Sequence, residues 1–118
     1  MKVETSTTRV PVNVYRTEDQ LMAAVQMPGM QPEDITIEVG ARGGLLVRGD
    51  LRGKLKDWKE VLIEEWQAGG YRRELDLPVP VDASGGRATY ENGVLVVVLP
   101  IADSTTPGSF GPRAGQGH

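Results

Sequence analysis

The residues best equipped for chemistry in this sequence are carboxylates. Glu60, Glu64 and Glu65 lie close together, and Asp50, Asp57 and Asp82 sit beside turn residues. General acid–base work needs two carboxyl groups in unlike environments within one cleft. Glu64 and Glu65 are consecutive, so on a strand they point to opposite faces. A solvated, charged segment accounts for them, and turn chemistry accounts for the aspartates. The Gly40–Gly44 run could cradle a phosphate only if a helix followed it. Leu45, Leu46 and Val47 follow instead, which predicts a hairpin loop. Cysteine is absent and the one histidine is His118, so thiolate metal sites and Ser-His-Asp chemistry lack their parts. Trp58, Trp66 and Tyr71 could stack on bases, but the net charge of -3 and 5% aromatics provide no electrostatic funnel for nucleic acid. The expectation is a protein that is not an enzyme and has no cofactor, metal or nucleic-acid partner.

The elements that would position any site read as strands. At 118 residues the chain is about one domain. Val12 and Val14 alternate with polar neighbours, and Leu21, Ala23, Val25 and Met27 keep that period up to Pro28-Gly29. Ile35, Ile37 and Val39 alternate with Thr36 and Glu38, then Leu45 and Val47 resume beyond the glycines. Tyr71, Arg73, Leu75 and Leu77 run into Pro78. Ala88 and Tyr90 lead to Asn92-Gly93, a strong hairpin signal because both positions favour positive φ. Val94 to Leu99 is wholly aliphatic. Such spacing predicts an all-β, antiparallel sandwich. Residues 50–68 fit a helix (Leu51, Leu55, Trp58, Leu62, Trp66) as well as a strand (Val61, Ile63).

Three zones follow. Residues 1–9 are polar and predict a short flexible arm, residues 10–101 hold almost all aliphatic side chains, and residues 102–118 predict a disordered Gly/Pro/Ser-rich tail. No stretch reaches the roughly 18 apolar residues of a membrane span, and Met1–Thr8 lacks an apolar signal core, so the expected location is cytoplasmic, with no membrane partner.

One pattern breaks the usual alternation. Val94, Val96 and Val98 share a run with Leu95, Val97 and Leu99, and Leu46 lies between Leu45 and Val47. If one set fills the core, the other needs a cover, because antiparallel sandwiches normally turn polar residues outward. That cover is either a partner or the chain's own 50–68 segment or tail.

Several motifs in fixed order resemble the alpha-crystallin domain of small heat shock proteins. They are Met27-Pro28-Gly29-Met30-Gln31-Pro32-Glu33-Asp34-Ile35, Gly44-Leu45-Leu46-Val47-Arg48-Gly49, Gly69-Gly70-Tyr71 through Leu77-Pro78, Ala88-Thr89-Tyr90-Glu91-Asn92-Gly93-Val94-Leu95, and Leu99-Pro100. Each is weak alone; together they span residues 10–101. The resemblance implies an immunoglobulin-like sandwich and an ATP-independent holdase. Such a protein binds partly unfolded clients through exposed apolar surface and prevents their aggregation. Ile35, Ile37, Val39, Leu46, Val96 and Val98 are the expected client- or groove-binding residues. The resemblance also implies a strand at Val61 to Trp66 that pairs with a partner subunit. Val61, Ile63, Trp66 and Arg73 are therefore expected at a dimer interface, with Arg73 otherwise an exposed strand residue.

Two departures from the family bear on assembly. Residues 102–118 contain no Ile-x-Ile motif, and Gly86 stands where the family has an aliphatic residue on the groove wall that receives it. The expected assembly is a homodimer or small homo-oligomer, alone or mixed with related chains. The alternative function is a CS-domain-like adaptor or co-chaperone that binds a folded partner.

Overall fold

The computed structural model describes residues 7–50, 62–63 and 70–114, with side chains from residue 10 onward. Among the described residues ten strands run in chain order: β1 Thr7–Arg9, β2 Val12–Arg16, β3 Gln20–Gln26, β4 Ile35–Val39, β5 Gly44–Asp50, β6 Gly70–Asp76, β7 Arg87–Glu91, β8 Val94–Pro100, β9 Gly108–Phe110 and β10 Arg113–Ala114. They form two five-stranded sheets, ordered β1-β6-β5-β4-β9 and β10-β7-β8-β3-β2. Pairing is antiparallel except for two short edge pairs, β1 on β6 and β10 on β7, which are parallel. The expected two-layer β-sandwich is the architecture found. Among the described residues no helix is long and apolar enough to cross a membrane.

The alternating rows decide the core. Leu21, Ala23 and Val25 of β3, Ile35, Ile37 and Val39 of β4, Leu45 and Val47 of β5, and Leu95, Val97 and Leu99 of β8 all turn inward and are buried. Period-two placement puts each set on one face, and their β-branched or aliphatic side chains pack between the layers. The Asn92-Gly93 turn joins β7 to β8 with φ of 56° and 81° at its two residues, as the hairpin signal requires.

Two tyrosines fasten the Pro28-Gly29 turn to both sheets. Tyr71 of β6 donates its hydroxyl hydrogen bond to the Pro28 carbonyl at 2.9 Å. Tyr90 of β7 donates to the Met27 carbonyl and accepts from the Met30 amide at 3.1 Å. Burial, reinforced by neighbouring Tyr90, raises the Tyr71 phenol above its ordinary value.

Both ends of the chain depart from expectation. Thr7–Arg9 of the expected flexible arm pairs with β6. Beyond β8 the expected disordered tail instead folds back: Thr106 exchanges backbone hydrogen bonds with Val81 and Ala83, β9 pairs with β4, and β10 pairs with β7. The expectation counted the tail's aliphatic side chains. Its order comes instead from backbone pairing to strand edges that the rest of the chain leaves open.

Candidate functional site

The aliphatic residues in excess of the core were the expected contact surface, and the structure divides them into three groups. Ile35, Ile37 and Val39 are core residues, buried under the first sheet. This corrects their assignment to a client surface: Thr36 and Glu38 take the outward positions of β4, so the aliphatic row has to face inward. Leu46 does face outward and is half-buried, but its cross-strand neighbours are Glu38 and Glu74. It is a single apolar residue in a charged setting.

Val96 and Val98 belong to the third group. They lie half-buried on the outer face of the second sheet, with Val94 beside them. Registration extends this row across the sheet. Val98 stands opposite Met22, which stands opposite Tyr15, and Val96 stands opposite Ala24. Tyr15 is 50% exposed, Met22 37% and Val94 36%. Strand spacing makes the surface about 10 Å wide from β2 to β8, and the rise per residue makes it about 13 Å long from Val94 to Val98. Arg87, Thr89 and Glu91 of β7 border it on one side, and Asn13 and Gln26 on the other. Asn13 donates a side-chain hydrogen bond to the Tyr15 hydroxyl at 2.9 Å.

Tyr15, Met22 and Ala24 were not among the expected site residues. The signal for Met22 and Ala24 was present: once Leu21, Ala23 and Val25 are read as the inward row, the residues between them must face out. Tyr15 depends on the β2–β3 register, which no local pattern carries.

The expected dimer-interface residues are only partly within view. Val61 and Trp66 lie outside the described residues. Ile63 is 81% exposed and its neighbour Leu62 83%. Arg73 faces between the sheets rather than outward. Its Nη1 donates to the Val10 carbonyl at 2.7 Å, and its buried Nε has no hydrogen-bond partner. Along β2, strand pairing among the described residues occurs on one side only.

Among the described residues no group of three or more His, Cys, Asp or Glu side chains could hold a metal ion. What the outer face provides is uncharged, water-accessible hydrocarbon on a rigid sheet. Its chemistry is contact: removal of apolar surface from water on both partners.

The chain and its two-sheet sandwich are matched by known proteins. Residues 13–109 match the Hsp20/alpha crystallin family, and the chain belongs to that family. It is 30% identical over 113 residues to an 18 kDa heat shock protein of Streptomyces albus G, covering 94% of this chain and 78% of that protein. It is 33% identical over 98 residues to a 19.0 kDa class II heat shock protein of rice (Oryza sativa subsp. japonica), covering 78% of this chain and 56% of the rice protein. Among solved structures, heat shock protein 16.0 from Schizosaccharomyces pombe superposes with a TM-score of 0.69 at 23% identity, over 85% of this chain and 71% of that one. The sandwich is thus that of small heat shock proteins, and membership supports a chaperone role. The family consists of chaperones rather than enzymes.

Proposed function

We propose that this protein is an ATP-independent holdase that captures partly unfolded proteins on the outer face of its second sheet. The observation that carries the reading is the continuous row Tyr15–Met22–Val98, with Val94, Val96 and Ala24 beside it, on a sandwich whose core is otherwise filled. A charged or polar face would serve a surface with no partner; this one leaves hydrocarbon in water, and an unfolding client exposes the complementary surface. Holding by contact needs no nucleotide.

The test is to heat an aggregation-prone enzyme with and without this protein, in the absence of ATP, and follow turbidity. Suppression of light scattering at near-equimolar ratio is the expected result. Absence of protection, together with strong preference for one folded protein, would replace this reading with that of a CS-domain-like adaptor.

A second element of the proposal concerns assembly. The exposed Leu62 and Ile63, and an edge of β2 that no described strand pairs with, favour a homodimer or small homo-oligomer in which the segment around Val61 to Trp66 adds to a partner's sheet. The cytoplasm is the proposed location, where unfolding clients would be met. Light scattering at micromolar concentration tests the assembly: a dimer-sized particle is expected, and a large shell would refute it.

A further inference from the structure

The apolar face of the second sheet ends on cations. Arg87 of β7 is in register with Val98, so the row that runs Tyr15–Met22–Val98 across three strands meets a guanidinium on the fourth. Beyond β7, Arg113 of β10 is in register with Thr89, two residues along the strand from Arg87. Strand rise and spacing put the two arginine Cα atoms about 8 Å apart. Both residues are exposed. Elsewhere the border carries the uncharged amides of Asn13, Gln20 and Gln26.

These arginines differ from those on the strands of the first sheet. There Arg48 is ion-paired with Glu38, and Arg72 with Glu74. Among the described residues neither Arg87 nor Arg113 has a carboxylate partner. Glu91 is the one carboxylate among the outward strand residues described for the second sheet, and it lies four residues along β7 from Arg87, about 13 Å away. The whole chain carries a net charge of -3, so this positive border runs against the global balance.

A free guanidinium beside exposed hydrocarbon suits a partner that offers both an apolar side chain and a carboxylate. The planar fork of arginine accepts a carboxylate through two parallel hydrogen bonds, which an amide or an ammonium group cannot match. A chain that lays apolar side chains along Val98, Met22 and Tyr15 brings the residues flanking its apolar run over Arg87 and Arg113. Carboxylates there gain a partner, and ammonium groups are repelled. Charges at the rim of an interface decide which partners are taken more than how tightly the surface binds.

We propose that the outer face of the second sheet selects non-native segments by charge, taking apolar runs flanked by aspartate or glutamate in preference to those flanked by lysine, with Arg87 and Arg113 as the selecting residues. The inference rests on the holdase reading of this face and adds a substrate class to it.

The probes are three fluorescent synthetic peptides that share one Val/Phe run and are flanked by aspartates, serines or lysines. Each is titrated with the full-length chain at low salt and followed by anisotropy. Two exposed ion pairs of ordinary strength amount to about fivefold in affinity, so the acidic peptide should bind about fivefold more tightly than the serine peptide, and the lysine peptide more weakly than both. The net charge of the chain opposes this order, so the order reports the local border. High salt should close the gap. Arg87→Gln with Arg113→Gln should remove the difference between the acidic and serine peptides, and Arg87→Glu should invert the order; circular dichroism controls for folding, and the glutamine pair keeps the test readable should Arg87→Glu disturb β7. Equal affinity for the acidic and lysine peptides, or a preference that survives the glutamine pair, would overturn the proposal. Val96→Glu with Val98→Glu should weaken all three peptides; an acid preference untouched by that pair would place the selection on another surface and overturn it as well. Turbidity separates this inference from the reading beneath it. Protection of heated clients with no charge preference among the peptides overturns the selection and leaves the holdase reading in place. Charge preference with no protection of any client overturns the holdase reading, and non-native segments as the occupant with it. Sedimentation with phosphatidylglycerol vesicles but not phosphatidylcholine vesicles, lost in the glutamine pair and unaccompanied by peptide preference, would reassign the arginines to an anionic lipid surface.

Discussion

The two sheets present opposite outer faces. Outward positions on the first are Thr36 and Glu38 of β4, Leu46, Arg48 and Asp50 of β5, and Arg72, Glu74 and Asp76 of β6. Ion pairs lie on it: Arg48 Nη2 to Glu38 Oε2 at 3.3 Å between β5 and β4, and Arg72 Nη2 to Glu74 Oε1 at 3.6 Å along β6. Outward positions on the second include Tyr15, Met22, Ala24, Val94, Val96 and Val98 across β2, β3 and β8, with the charged Arg87 and Glu91 confined to β7. Both sheets seal the same core from opposite sides, so the core cannot be the cause of the difference. A face that needs only solubility acquires charge, whereas the second sheet retains hydrocarbon that would be safer replaced. That asymmetry is what favours the second sheet as the proposed contact surface.

β8 contains the contrast within one strand, and the largest expected effect lies there. Leu95 is fully buried, while Val96 is half-exposed on the other side. Leu95→Ala should cost about 2–5 kcal/mol through lost transfer energy and the cavity left behind. Val96→Ala should cost less than about 1 kcal/mol, the span of strand preferences at such positions. Urea unfolding measures both. A Val96→Ala cost as large as that of Leu95→Ala would mean that the outer face is packed rather than open.

The next effect is functional. Val96→Glu together with Val98→Glu should leave the fold intact and reduce client protection several-fold, whereas Leu46→Glu should leave protection nearly unchanged. Turbidity at fixed chaperone ratio, with circular dichroism as the folding control, reads the difference. Equal losses from both faces would erase the contrast on which the proposed surface depends.

Much of this was legible in the chain. The period-two rows, Pro28-Gly29 and Asn92-Gly93 each specify local geometry through residues a few positions apart, and they yielded strands, turns and layer class. Leu46 and Val96 show where local reading ends. Each is an aliphatic flanked by aliphatics, and the sequence alone treats them alike. What separates them is who lies alongside: Glu38 and Glu74 for Leu46, Ala24 and Thr89 for Val96. Those neighbours are set by pairing between distant segments. The tail was misread for the same reason. Its composition argues for disorder, but strand edges far back in the chain offered its backbone partners, and Gly86 offered Phe110 a seat. Ile35, Ile37 and Val39 are a different matter, since the polar residues between them already indicated which way they faced.

A smaller effect belongs to the tie between the sheets. Tyr71→Phe removes the bond to the Pro28 carbonyl and should cost about 0.5–1.5 kcal/mol. The alkaline dependence has a definite sign. Below the ordinary phenol value of about 10, Tyr71 is neutral in both folded and unfolded chains and its contribution is fully present. As pH rises past that value the unfolded chain ionises first, because the folded phenol is held higher, so stability falls through this window. Urea midpoints taken across it should decline less in Tyr71→Phe than in the parent, while Val96→Glu/Val98→Glu should follow the parent. A parental slope in Tyr71→Phe would mean that the phenol is not protected by the fold.

The smallest expected effect tests the polar face directly. Glu38 and Arg48 sit on adjacent strands with their side chains 40% and 52% exposed, so water and salt screen their attraction. Arg48→Ala should change stability by about 0–1 kcal/mol, with any loss vanishing at high salt. It should also leave client protection untouched, because the pair covers no hydrocarbon that a client could use other than Leu46. If Arg48→Ala instead raised protection, the charges would be shielding Leu46 from clients. The first sheet would then be a contact surface held in reserve, and the two faces would differ in access rather than in kind.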